Sequence, residues 1–191
     1  KQYGTPLKIS YLPKISQQIQ KAKRLFNVAI AKADYKGTYT YCYCTKSSHF
    51  KFVLEEALKN EIHLETSSAF DIQIIKTLVA EKKLDKSVYI ICNGYKRPLY
   101  TQYIAELINE GFTNVIPILD NKNELNFYEK NIKGTVKLGI RIAAQEEPDN
   151  EFYTSRLGIN YKDIRSFYID RIKGVPKLEL KMLHFFINTG I

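Results

Sequence analysis

The chain has 191 residues, of which 45% are hydrophobic, and 29 Lys and Arg against 20 Asp and Glu give it a net charge of +9. That is enough apolar content for one well-buried domain, and no low-complexity tract or Gly/Ser linker divides it. No apolar run reaches the roughly 20 residues needed to span a membrane, and three cysteines, Cys42, Cys44 and Cys92, are too few and odd in number for a disulfide framework.

The lysines are interleaved with glutamates, as in "AEKKLDK" and "EEALKNE", which is how solvated helix faces read, so a nucleic-acid surface is not expected. These features set the expectation of a reducing, cytoplasmic compartment. The chain opens "KQYGTPLKI", without an initiator Met or an apolar leader, and both ends break off inside ordered pattern. The expectation is therefore a portion of a longer protein.

In chain order, "GTPLKISYL" reads as a strand, and Ile15, Ile19, Ala22, Phe26, Ala29 and Ile30 then share one helical face. Strands follow at "TYTYCYC", "IHLETS", "SVYIIC", "NVIPIL", "TVKLGIRIA" and "LKMLHFFI", with helical pattern between each pair. Ser68 followed by Asp71 reads as a capping box, and Gly111 stands where the helix ending "ELINEG" stops. Pro117 weakens the fourth strand of this series, because it cannot donate to a ladder.

Strands alternating with helices imply a parallel sheet joined by crossovers, and strands apolar on both faces imply a sheet covered by helices. A doubly wound open sheet and a (β/α)8 barrel both fit this order. Against the first, no G-x-G-x-x-G follows the first strand and no P-loop occurs. Against a closed barrel stands the length, with about six of the eight strands in view.

In a barrel the carboxyl ends of the strands carry the chemistry. Along "TYTYCYCTK", Tyr39, Tyr41 and Tyr43 share one face, while Thr40, Cys42, Cys44 and Lys46 share the other, which places Lys46 at the mouth. The same parity brings Glu65 to the end of "IHLETS", Arg141 in line with Lys137 and Gly139, and aligns Met182, His184, Phe186 and Asn188. One such charge reads as a solvated rim group, but several inward from different strands are costly unless paired or used. A lysine that can form a Schiff base, an arginine for an anionic oxygen and an aromatic face for a planar ring together describe a pyridoxal phosphate pocket. His63 reads as a satisfied core histidine, His49 as the start of a helix, and no spacing makes a metal cluster.

These motifs resemble those of the fold-type III pyridoxal-phosphate-dependent decarboxylases, and among them most closely the bacterial biosynthetic arginine decarboxylases. "YKGTYTYCYCTK" resembles Y-x-G-x-Y…Y-P-I-K, "LETSSAFDI" is similar to L-E-A-G-S-K-A-E-L, and "IICNGYK" matches I-C-N-G-Y-K. "LGIRIA" matches G-x-R-I-K, "RLGI" resembles K-F-G-L, and "LHFFINTG" resembles L-H-F-H-L-G-S-Q. "ICNGYK" is the most specific of these.

The resemblance implies a TIM-type barrel of the alanine racemase-like class and decarboxylation of L-arginine to agmatine in polyamine and spermidine synthesis. Diaminopimelate, ornithine or carboxyspermidine decarboxylation and a non-catalytic barrel homologue remain the alternatives. It implies that Lys46 carries pyridoxal 5'-phosphate, that Glu65 orients the ring, and that Arg141 lies toward the phenolic oxygen. Phe186 occupies the place of a ring-stacking histidine and Thr189 matches a serine near the phosphate; His184, below Phe186 on the same face, reads either as a buried structural histidine or as a partial stand-in for the missing imidazole. The family admits a magnesium requirement without a ligand in this chain, takes a small amino-acid substrate and is expected to be a homo-oligomer.

Departures from the pattern are Cys44-Thr45 before the lysine, Ser47-Ser48 after it, and Asn188 for a glycine. The phosphate loop and the carboxylate facing the pyridine nitrogen come from later strands in the family. A single partial barrel, residues 1–191, inactive alone and with open sheet edges, is the resulting expectation.

Overall fold

A computed structural model describes residues 4–143 and 157–186. Six strands form one sheet: β1 (Cys42–Cys44), β2 (His63–Thr66), β3 (Ile90–Cys92), β4 (Val115–Leu119), β5 (Val136–Arg141) and β6 (Leu178–His184). Each pairs in parallel with the next, so the spatial order is the sequence order. A doubly wound sheet reverses its order at a switch point. None occurs here, and the order is that of a barrel wall.

The crossovers are helical: α2 (Lys51–Leu58), α3 (Ala69–Ala80), α4 (Pro98–Asn109), α5 (Glu124–Asn131) and α6 (Tyr161–Arg171), with α1 (Pro13–Lys32) before β1. Proline opens α1 and α4, where its missing N–H costs nothing. Ser68 caps α3 by accepting from the Asp71 N–H, and the Asp71 carboxylate accepts from the Ser67 N–H at 2.9 Å and the Ser68 hydroxyl at 3.0 Å. This is the expected capping box, in its aspartate form. Gly111 lies just past α4 with φ +89°, as a helix stop requires.

Two apolar layers flank the sheet. Leu64, Ile90, Cys92, Leu138 and Ile140 point outward into the main core shared with α3, α4 and α5. Ile91, Ile116 and Ile118 point the other way and pack with Cys42 and Met182. That inner layer is crowded: a Cβ on Gly139 would collide with Ile118 Cδ1 and lie 3.3 Å from Met182 Cβ. Pro117 sits within β4, opposite Cys92, although β4 is buried along its whole length. The missing ladder donor is tolerated in a central strand because burial of both faces holds it there.

Three expectations are corrected. Residues 4–11 form no strand, so "GTPLKISYL" stays outside the sheet. β1 is confined to Cys42–Cys44, because it is an edge whose one partner, β2, begins at His63. Tyr39 stacks on Phe26 instead, with ring centroids 4.0 Å apart. On α1 only Ile19 is buried, and the helix is tied to α2 largely by polar contacts, including Ser16 Oγ to Glu56 Oε1 at 2.6 Å and Gln20 to Asn60 at 2.9 Å.

β1 and β6 are the two edges, and Leu183 on the outer face of β6 is 54% exposed. Among the described residues no helix is long and apolar enough to cross a membrane.

Replacing the cap, Ser68→Ala, is expected to cost about 1 kcal/mol. In a chain of this size that lowers the thermal midpoint by roughly 2–4 °C, which a calorimetric scan would register; an unchanged midpoint would remove the cap from the account of α3.

Candidate active site at the carboxyl ends of the strands

Parallel pairing sends all six carboxyl ends to one edge of the sheet, and the residues there are polar. After β1 the chain turns through a 3-10 helix, Thr45–Ser47, rather than continuing as a strand. Thr45 is buried and its hydroxyl donates to the Glu65 backbone carbonyl at 3.1 Å, which pins the turn to β2. Lys46, the central residue of that turn, is exposed, and among the described residues its ammonium makes no ion pair. The sequence pattern placed it on the strand; the turn instead swings it free of the ladder while keeping it at the mouth.

Glu65 stands on the inner face of β2, half-buried. Its Oε1 accepts from Asn93 Nδ2 at 3.2 Å and from the Cys44 thiol at 3.7 Å. Burial, reinforced by the Glu65 charge, pushes the Cys42 thiol up to about 11 and raises that of Cys44 as well. Both are thiols, not thiolates, near neutral pH. They act as small interior residues rather than as nucleophiles or metal ligands, and among the described residues no group of three His, Cys, Asp or Glu could hold a metal ion.

The other half of the mouth is a buried ionic cluster. Lys96, in the loop after β3, has a side chain with 0% exposure, and its Nζ donates to the Gly94 carbonyl at 2.9 Å and to the Ile118 carbonyl. It lies 3.3 Å from Glu124 Oε2 and 3.6 Å from Asp120 Oδ2. The other Asp120 oxygen, Oδ1, lies 3.6 Å from Arg141 Nη1 at the end of β5. Burial raises the Glu124 carboxyl, opposed by Lys96 and by the Asp120 N–H. Gly158 closes this side: its φ is +103°, its N–H donates to the Asp120 carbonyl at 3.1 Å, and a Cβ there would fall 2.7 Å from Ala143 N.

His184, at the end of β6, is where the two halves meet. Burial pushes its imidazole below the ordinary value; Glu65 and Asp120 oppose this, while Arg141 and Lys46 add to it. Groups from the ends of β1, β2, β4 and β5 thus act on one half-buried ring. Its Nδ1 and the Asn93 Oδ1 are buried without a hydrogen-bond partner among the described residues. Phe186 follows two residues beyond β6 and is 58% exposed. Asn188 and Thr189 lie outside the described residues. His63 is satisfied, its Nδ1 accepting from the Tyr89 N–H at 3.2 Å.

The structure therefore gathers Lys46, Glu65, Arg141 and His184 at one mouth. It adds four residues that sequence reasoning gave no role: Asn93, Lys96, Asp120 and Glu124. The first two lie inside "ICNGYK", the most specific motif, which was the available signal. Nothing in "LDNKNE" distinguishes Asp120 and Glu124 from solvated loop residues.

His184 and His63 have folded values below their unfolded one. The unfolded chain therefore binds their protons first as pH falls, so stability is full above about 6.5 and is lost below it. Thermal midpoints recorded from pH 7.5 to 5 are expected to fall, and His184→Gln is expected to flatten the decline; an identical decline in the variant would exclude His184 as a source.

No family model matches the sequence. The chain is 25% identical over 203 residues to a biosynthetic arginine decarboxylase of Prochlorococcus marinus (strain MIT 9515), an alignment covering 100% of this chain and 31% of that protein. It is also 25% identical over 203 residues to the biosynthetic arginine decarboxylase of Vibrio vulnificus (strain YJ016), covering 99% and 31%. The chain thus spans about a third of the length of these relatives.

Among solved structures, a diaminopimelate decarboxylase from Helicobacter pylori in complex with L-lysine superposes with a TM-score of 0.66 and 19% identity, covering 96% of this chain and 45% of that one. The Paramecium bursaria Chlorella virus arginine decarboxylase superposes with a TM-score of 0.63 and 14% identity, covering 93% and 42%. The fold is the expected one, six strands of a barrel wall like that of these two decarboxylases, and the likeness of the sequence to biosynthetic arginine decarboxylases is reproduced.

Proposed function

We propose that this chain forms the cofactor-bearing side of a pyridoxal-phosphate-dependent decarboxylase that converts L-arginine to agmatine in polyamine synthesis. The observation that carries this is the convergence on His184 of an exposed lysine, a carboxylate, an arginine and a second carboxylate from four strand ends. The donor set fits pyridoxal phosphate: an amine with no ion pair among the described residues for an aldehyde, a guanidinium for an anionic oxygen, and buried polar atoms of Asn93 and His184 with no hydrogen-bond partner among those residues.

In this reading Lys46 provides the amine that holds the cofactor, and the 3-10 turn leaves that amine free to be exchanged for a substrate amine. Glu65, oriented by Asn93, would help hold the ring, Arg141 would bind an anionic oxygen of the cofactor, and Phe186 would supply a stacking face. Thr189 is assigned the phosphate from its motif alone. Pyridoxal phosphate, when bound, supplies a ring that takes up the electron pair left behind by departing carbon dioxide. His184, neutral near pH 7, provides the imidazole that Phe186 lacks.

L-Arginine is preferred to diaminopimelate, ornithine or carboxyspermidine because the curated relatives are arginine decarboxylases. We read residues 1–191 as a single partial barrel of a cytoplasmic, homo-oligomeric enzyme. Since β1 and β6 do not pair with each other among the described residues, the mouth is open on one side and these residues alone are expected to bind the cofactor weakly.

The test is spectroscopic. Adding pyridoxal phosphate to the full-length protein is expected to produce an absorption band near the visible edge that Lys46→Ala abolishes, and carbon dioxide release is expected from arginine ahead of lysine, ornithine and diaminopimelate. If wild type and variant behave alike, the enzyme reading fails.

A further inference from the structure

We infer that Lys96 is a positioning residue: its buried ammonium holds the Asp120 carboxylate in place, and Asp120 in turn fixes the Arg141 guanidinium at the mouth. Lys96 reaches no exposed surface, yet its three N–H donors face two backbone carbonyls, of Gly94 and Ile118, and two carboxylates. The carbonyl contacts tie the loop after β3 to β4. The carboxylate contacts form a line, Glu124, Lys96, Asp120, Arg141, in which two cations cancel two anions.

Asp120 is the joint in that line. Its side chain is 2% exposed, and neither oxygen accepts a hydrogen bond among the described residues. The carboxylate is therefore held by the fields of Lys96 and Arg141, one on each oxygen, and by its backbone, whose N–H donates to Glu124 at 3.3 Å and whose carbonyl accepts from Gly158. A buried ion pair that loses one member leaves an uncompensated charge, which is far costlier than exchanging the pair for apolar groups. Removing the Lys96 ammonium leaves Glu124 and Asp120 to share Arg141 alone. Arg141 is then drawn toward a doubly negative neighbour, or the carboxylates take up a proton.

The groups facing Asp120 are Lys96 from the loop after β3, Glu124 and the neutral Tyr128 hydroxyl from α5, Arg141 from β5 and His184 from β6. Those facing Glu124 are Lys96, Asp120 and Tyr128. The carboxyl most ready to protonate is Glu124, already raised by burial. In Lys96→Met its folded value rises further above the unfolded one near 4.3. A carboxyl so shifted contributes stability that is lost as pH rises through the folded value, so between about pH 5 and 8 the variant is expected to lose stability relative to wild type, reducing or reversing the rise with pH that the histidines give.

The cofactor readout rests on the proposed decarboxylase reading; the stability readout does not. Thermal midpoints from pH 5 to 8 and pyridoxal phosphate affinity by absorbance titration are measured on the full-length protein. Lys96→Met is expected to show a midpoint that falls relative to wild type as pH rises, and roughly tenfold weaker cofactor binding, as when an outer contact of a ligand-holding group is lost. The double variant Lys96→Met with Glu124→Gln restores one carboxylate to one cation, and is expected to bring the pH slope back toward that of wild type and recover most of the affinity.

A midpoint lowered equally at every pH, with no recovery in the double variant, overturns the inference and leaves Lys96 a structural tie. Should Lys96→Met not fold, the single variants decide: Asp120→Asn is expected to weaken cofactor binding by roughly tenfold and Glu124→Gln by less than about twofold. Equal effects overturn the inference. If wild type binds no pyridoxal phosphate, the decarboxylase reading fails while the pH slopes still judge Lys96.

Discussion

A parallel strand cannot return to its neighbour through a tight turn; the chain must cross back the full length of the sheet, here through a helix each time. Repeating that crossover without reversing direction brings all six carboxyl ends to one edge. The constraint shapes everything at the mouth. It stacks the helices on one side, leaving the inner face to the small layer of Ile91, Ile116, Ile118, Cys42 and Met182, and it turns six separate strand ends into one site. Glu65, Asn93, Asp120, Arg141 and His184 are far apart in sequence and neighbours in space for that reason alone.

Bringing polar groups together inside a protein is expensive unless their charges balance. The mouth meets this requirement in two ways. On the side of β3 to β5, Lys96, Glu124, Asp120 and Arg141 neutralise one another out of water. On the side of β1 and β2, Glu65 is only half-buried and takes hydrogen bonds from Asn93 and Cys44, while the exposed Lys46 makes no ion pair among the described residues. The balanced half gives rigidity and the other half is the one to which the proposed chemistry is assigned, with His184 between them, its imidazole lowered by burial and its Nδ1 without a hydrogen-bond partner among the described residues.

How much of this the sequence disclosed follows from what each residue shows locally. Strand alternation and doubly apolar runs made all six strands visible, and the Ser68 to Asp71 spacing marked a helix start, because these signals depend on near neighbours. Lys46, Glu65 and Arg141 were visible from parity and from a family resemblance, although parity could not foresee the turn that lifts Lys46 off the strand. Lys96 was invisible as a buried cation, since a lysine beside Tyr95 and Arg97 reads as a surface residue until β4 closes over it. The apolar stripe of α1 misled in the opposite direction: Phe26 finds Tyr39, not the core.

The central claim is that Lys46, and no other amine of this lysine-rich chain, holds pyridoxal phosphate at the mouth. Reducing the full-length protein with borohydride in the presence of the cofactor, then locating the modified lysine by peptide mass spectrometry, tests it most directly. The account predicts near-stoichiometric modification confined to the peptide containing Lys46. Modification spread over surface lysines, or concentrated on another one, would contradict it.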